Sequence, residues 1–129
     1  AAYSASAAGF SQLGSDQPWT AIYGYCPVKP EKKDIAIKIM REELQKLGST
    51  IDADMLNKTK DLMVKRYEDG LKTNGYWMNV IQTWDENGVD INTDYEKLVN
   101  ALTPASVAKY VKDNFIGKNS VSVIMLPQE

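Results

Sequence analysis

With no histidine in its 129 residues, the chain has carboxylates, phenols, amines and one thiol as its chemistry-bearing side chains. That absence removes the commonest zinc, copper and haem ligand, the Ser-His-Asp and Cys-His nucleophile pairs, and the usual acid–base group near neutral pH. Any proton transfer would fall to carboxylates or lysines. The acidic stretch from Asp85 through Glu86, Asp90 and Asn92 to Asp94 offers the oxygen ligands a hard cation takes. Its spacing departs from a calcium loop: counted from Asp85, the sixth position is Asp90 where glycine is needed, and Glu96 follows at the twelfth without the ligands between. These Asx residues read as turn formers and helix caps.

The remaining candidates have structural duties that explain them first. Glu42 and Glu43 stand in a helical run beside lysines, and Asp52 and Asp54 stand where an N-cap and a favourable helix-dipole charge belong. Neither pair is needed as an acid–base couple. Cys26 lies in a Tyr-rich run beside Pro27 with no histidine to activate it, so it reads as a small packed residue. As the lone cysteine it also rules out an intrachain disulfide. Trp19, Tyr23, Tyr25, Trp77 and Trp84 fall at strand and helix spacings and read as core aromatics before they read as a ligand groove.

The elements that must position these groups follow from periodicity and capping. Residues 3–13 are rich in alanine and serine, Gly14, Ser15 and Asp16 supply turn chemistry, and residues 19–26 form a second extended run. There Trp19, Ala21, Tyr23 and Tyr25 share one face, opposite Thr20, Ile22, Gly24 and Cys26. A β-hairpin is predicted, ended by Pro27 and Pro30. From Glu31 the period becomes helical, with Ile35, Ile39 (or Met40), Glu43 and Leu47 along one side and Gly48 as C-terminal cap.

A second helix starts at Asp52 or Asp54 and buries Leu56, Met63, Tyr67 and Leu71. Gly70 and Asn74-Gly75 are weak points in it, followed by a further helical stripe of Trp77, Met78, Ile81 and Trp84 that ends near Asn87-Gly88. Thr93 or Asp94 caps a short helix through Tyr95, Leu98 and Val99. Thr103-Pro104 opens another, with Pro at N1 followed by Val107, Tyr110, Val111 and Phe115, and Gly117 closes it. Residues 120–126 then alternate Val121, Val123 and Met125 against Ser122, Ile124 and Leu126, which predicts a last strand before Pro127. The expected fold is α+β, an antiparallel sheet covered on one face by helices in the order β-β-α-α-α-α-β, within a single domain over residues 1–129.

Composition bounds the partners. With 43% hydrophobic and 25% charged residues the chain sits among globular proteins. A net charge of −2 without a basic, aromatic-interleaved stripe argues against nucleic acid. No apolar run approaches the ~20 residues of a membrane span, and the first eight residues lack the cationic segment of a signal peptide. The chain opens on Ala1-Ala2-Tyr3-Ser4 without an initiator methionine, which reads as a cut inside a longer polypeptide. Three strands are few for so many helices, which agrees with truncation at the N-terminus. The sheet edge so exposed would favour a homodimer of the piece.

Three runs carry a family resemblance over nearly the whole chain: Ala1-Ala2-Tyr3-Ser4-Ala5-Ser6, Asn74-Gly75-Tyr76-Trp77, and the stretch from Asp90-Ile91-Asn92-Thr93-Asp94-Tyr95 to Leu102-Thr103-Pro104. The sequence resembles the pitrilysin/insulinase superfamily of zinc metallopeptidases, in particular the C-terminal, non-catalytic part of PqqL-like bacterial zinc proteases. The resemblance implies a LuxS/MPP-like metallohydrolase half-domain, one of two homologous halves that close like a clam shell on an unfolded peptide. Zinc and its inverted H-x-x-E-H motif would belong to the N-terminal catalytic half, in the same or a partner chain, so no cofactor is expected here.

The same resemblance implies one substrate-binding residue. The family's Arg-x6-Tyr pair matches with its tyrosine at Tyr3 and its arginine before Ala1, and such a pair can hydrogen-bond a scissile carbonyl and stabilise the oxyanion. No catalytic residue is expected in this chain. The alternative reading is a non-catalytic binding or scaffold subunit, like the degenerate halves found in processing-peptidase and respiratory complexes. A periplasmic or cell-envelope location is implied by the resemblance alone.

Overall fold

The computed structural model describes residues 4–12 and 16–126, which places Tyr3 outside the described residues. Two strands, β1 (Ser6–Gln12) and β2 (Trp19–Tyr25), pair antiparallel from Ser6 opposite Tyr25 to Gln12 opposite Trp19. The alternation seen in the sequence sets the two faces. Phe10 sits between Trp19 and Tyr23, with ring centroids 5.6 and 5.9 Å away, and the Trp19 indole N–H donates to Gln12 Oε1 over 2.8 Å. The opposite face carries small residues and Ile22, and there a Cβ on Gly24 would lie 2.7 Å from Met40 Cε. That glycine lets the hairpin approach the first helix.

A 3-10 turn at Pro30–Lys32 leads into α1 (Lys33–Leu47), α2 (Ala53–Gly70), α3 (Asn74–Asn87), α4 (Tyr95–Ala101) and α5 (Pro104–Asn114). The caps explain most boundaries. Asp52 accepts the Met55 N–H at 2.7 Å, Thr73 accepts the Tyr76 N–H at 3.3 Å, and Thr103 and Ser106 form a reciprocal capping box. Asp94 sits at the start of α4 without a side-chain cap bond. Gly88 closes α3 at φ 65°, a left-handed conformation that glycine adopts without a Cβ penalty. Helices α2 and α3 are separate because the chain turns at residues 71–73, where the Thr73 hydroxyl donates back to Gly70 O at 2.9 Å.

Among the described residues the architecture is α+β, a two-stranded antiparallel sheet with five α-helices where four were expected, and it also corrects the expected order at its end. Residues 120–126 carry no strand among the described residues. Their alternation is strand-like, but an extended run becomes a strand when another edge takes its backbone hydrogen bonds, and none does here. Nor do the helices blanket one sheet face. Helix α2 packs on α4 and α1 on α5, while Trp19, Ile22, Tyr23 and Tyr25 stay exposed.

Two of the apolar stripes read from the sequence point outward. In α3 the half-buried positions are Tyr76, Val80, Thr83 and Asn87, and Trp77, Met78, Ile81 and Trp84 form an exposed ridge. In α1, Ala36, Ile37 and Leu44 are half-buried while Ile35, Ile39 and Leu47 are exposed. Tyr110 of α5 also faces out. Both helices are apolar over more of their circumference than one packed face uses, so periodicity alone does not say which face is covered. Among the described residues the buried ones are Leu56, Val99 and Ala108 alone, and each keeps some exposure. The chain exposes 10468 Å², where a compact monomer of 14.4 kDa would expose about 6,800 Å².

Candidate functional site

Two surfaces gather chemistry-bearing side chains. The first is the aromatic face of the hairpin. Phe10, Trp19 and Tyr23 make an edge-packed cluster on the face opposite Gly24, with Ser6, Ala8 and Ala21 as low ground between them. The sheet has two strands, so the outer backbone groups of both β1 and β2 lack a ladder partner among the described residues. An open edge beside exposed aromatics is suited to holding an extended polypeptide: the edge reads main chain, the rings contact side chains. It supplies no proton-transfer group.

The second surface is a shallow cleft of about 490 Å³ where α2, α3 and the loop before α4 converge. Tyr67 stacks on Tyr95 with centroids 4.8 Å apart and meets Tyr76 edge-on at 6.0 Å. Asn92 ties the cluster together, its side-chain oxygen accepting from the Tyr76 hydroxyl at 2.9 Å and its backbone carbonyl from Tyr67 at 3.4 Å. Gly70 permits this, since a Cβ there would lie 3.0 Å from the Tyr76 ring. Burial, then the neighbouring Tyr67, Tyr95 and Asp90, pushes the Tyr76 phenol above its ordinary value. Hydrogen bonds from Thr93 and Asn92 hold the Asp90 carboxyl below its own. Both groups are moved away from neutrality, Tyr76 upward and Asp90 downward.

No family model, curated protein or solved structure matches this chain. The residues themselves therefore carry the functional reading. Tyr3, the one substrate-binding residue expected, lies outside the described residues, three positions ahead of β1 in the sequence. Asp52 is an N-cap, Glu42 and Glu43 pair on the surface with Lys38 and Lys46, and Asp90 closes an Asx turn by accepting the N–H groups of Asn92 and Thr93 at 2.8 and 2.9 Å. Cys26 is half-buried at the end of β2.

Among the described residues no three cysteine or carboxylate side chains come together as metal ligands, and histidine is absent from the sequence. No helix among them is long and apolar enough to cross a membrane. The tyrosine cluster escaped sequence reasoning because its members come from three elements. The one legible signal was the Asn92-Thr93 turn between two tyrosine-bearing helices, and its chemistry became clear once Tyr76 and Tyr67 converged on Asn92.

Proposed function

We propose that this chain is the non-catalytic C-terminal domain of a zinc metalloendopeptidase of the pitrilysin/insulinase type, forming part of the chamber that holds unfolded peptide. The observation that carries the reading is the open-edged hairpin with its exposed Phe10, Trp19 and Tyr23 face, in a chain without histidine. A wall of this kind binds extended peptide through main-chain hydrogen bonds and leaves bond cleavage to a zinc-bearing partner half. Tyr3, just ahead of β1 in the sequence, is assigned a hydrogen bond to the scissile carbonyl in the LuxS/MPP-like half-domain proposed here. Its own work is orientation and oxyanion stabilisation.

A second reading, a binding or scaffold subunit, is favoured by the α3 ridge of Trp77, Met78, Ile81 and Trp84, because exposed apolar surface of this extent marks a protein interface. One experiment separates the two. In the complex with a zinc-bearing half, Tyr3→Phe should slow cleavage of a quenched-fluorescent unfolded peptide while zinc content and thermal stability hold. Unchanged turnover would make Tyr3 structural. Purification without any zinc-bearing half, in the same or another chain, would sink the peptidase reading and leave the scaffold.

A further inference from the structure

Helix α3 stands apart from the helix pairs that hold the rest of the chain together. Helix α2 packs on α4 and α1 on α5, while no element packs broadly on α3 among the described residues. Tyr76 anchors its inner side to Asn92. On the outer side the Trp77 indole N–H donates to Leu71 O at 2.9 Å, which fixes the ring without burying it. At about 100° per residue, Asn74, Trp77, Met78, Ile81, Trp84 and Asp85 fall within an arc of about 120°. The steps from Asn74 to Trp77, Ile81 and Trp84 are those of a two-helix seam. At its centre Met78 is 70% and Ile81 66% exposed.

We infer that this ridge is where a second copy of the chain docks, α3 against α3 in antiparallel orientation about a two-fold axis near Ile81. Charge selects both the occupant and its orientation. Helix α3 carries Asp85 and Glu86 near its end, no basic residue anywhere, and no acid in its first turn. Glu86 lies off the arc and accepts from Gln82 at 2.7 Å, which leaves Asp85 as the charge beside the ridge. There it faces the negative end of its own helix dipole, whereas the first-turn N–H groups form the positive end. Antiparallel pairing brings Asp85 of each copy over the first turn of the other, beside the Asn74 amide, a hydrogen-bond donor. Parallel pairing would set the two Asp85 carboxylates together. The area fits as well. Trp77, Met78, Ile81 and Trp84 leave on the order of 500 Å² open per copy, so a pair covers about 1,000 Å², the lower bound of a specific interface. The dimer is therefore weak and reversible. This pairing rests on the scaffold reading and deepens it by naming what the apolar surface meets.

The test is sedimentation equilibrium of the full chain from about 1 to 500 µM, the range of weak interfaces. A reversible dimer is expected. Ile81→Lys sets like charges across the two-fold axis and should weaken it about tenfold or more, with helical circular dichroism unchanged. Trp84→Gln, at another exposed position, should weaken it too. Orientation is read from a charge exchange. Residues 74 and 85 lie about 16 Å apart along one helix, so they act on each other only between copies. Asn74→Asp and Asp85→Lys should each loosen the dimer several-fold, and the two together should restore it, because opposite charges then meet at both ends of the pair. A double variant no tighter than the singles would overturn the antiparallel pairing. A dimer that Ile81→Lys and Trp84→Gln both leave intact would move the contact to another surface, such as the open sheet edge, and overturn the ridge as its seat. A chain still monomeric at the highest concentration would overturn self-docking and leave the scaffold reading with an unlike partner. Assembly is read without zinc or turnover, so its failure and that of the peptidase reading are separate outcomes.

Discussion

Tyr76 donates its phenolic hydrogen bond to the side-chain oxygen of Asn92 over 2.9 Å, tying α3 to the loop that leads into α4. Tyr76→Phe keeps the edge-on contact with Tyr67 and removes the donor alone. The loss should be about 1 kcal/mol, the net worth of an ordinary hydrogen bond. For a chain of this size that lowers the melting temperature by about 3–5 °C, measurable by circular dichroism. An unchanged midpoint would mean that water replaces the phenol at no cost.

Asp90 makes the same loop sensitive to acid. Its carboxyl is held below the ordinary value chiefly by hydrogen bonds from Thr93, then from Asn92. A depressed folded value gives stability that is present above the unfolded value of about 3.9 and is lost as pH falls through the folded one. Asp90→Ala should therefore lower the melting temperature at neutral pH, and its gap from the parent should narrow as pH drops from about 5 to 3. A gap that stays constant over that range would remove Asp90 from the acid response.

The capping box at Thr103 fixes where α5 begins, and Ala108 of that helix is one of the buried residues. Thr103→Ala strips the acceptor from the Ser106 N–H, now 3.1 Å away, and should cost about 1 kcal/mol. Thr103→Ser keeps an oxygen in place and should recover most of it. Chemical denaturation midpoints at constant slope would establish the difference.

Local signals were legible in the sequence where a single residue decides the backbone. Asp52, Thr103-Pro104 and Gly88 each did so through a cap or a left-handed turn, and the hairpin declared itself by alternation across Trp19–Tyr25. Which face of an element is covered depends on neighbours that periodicity does not name. In α3 Tyr76 and Val80 turn inward beside a more apolar ridge, because Tyr76 has Asn92 and Gly70 to meet. The run 120–126 fails as a strand for a like reason, since pairing is a property of two edges. The tyrosine cleft was hidden because residues 67, 76 and 95 have no common period.

The outward α3 ridge can be tested against the small core directly. Trp84 is 60% exposed and Leu56 is 9% exposed, so substitution costs should rank opposite to side-chain size. Trp84→Gln should leave stability within about 0.5 kcal/mol, as for surface sites, and should reduce binding of a hydrophobic dye. Leu56→Ala deletes buried methyl groups between α2 and its neighbours and should cost about 2–5 kcal/mol. If Trp84→Gln proved the costlier change, the ridge would be core and the sequence's own stripe would be the right one. If both predictions hold, about a helix-length of apolar surface is kept folded without being covered, and α3 is maintained for a partner rather than for its own domain.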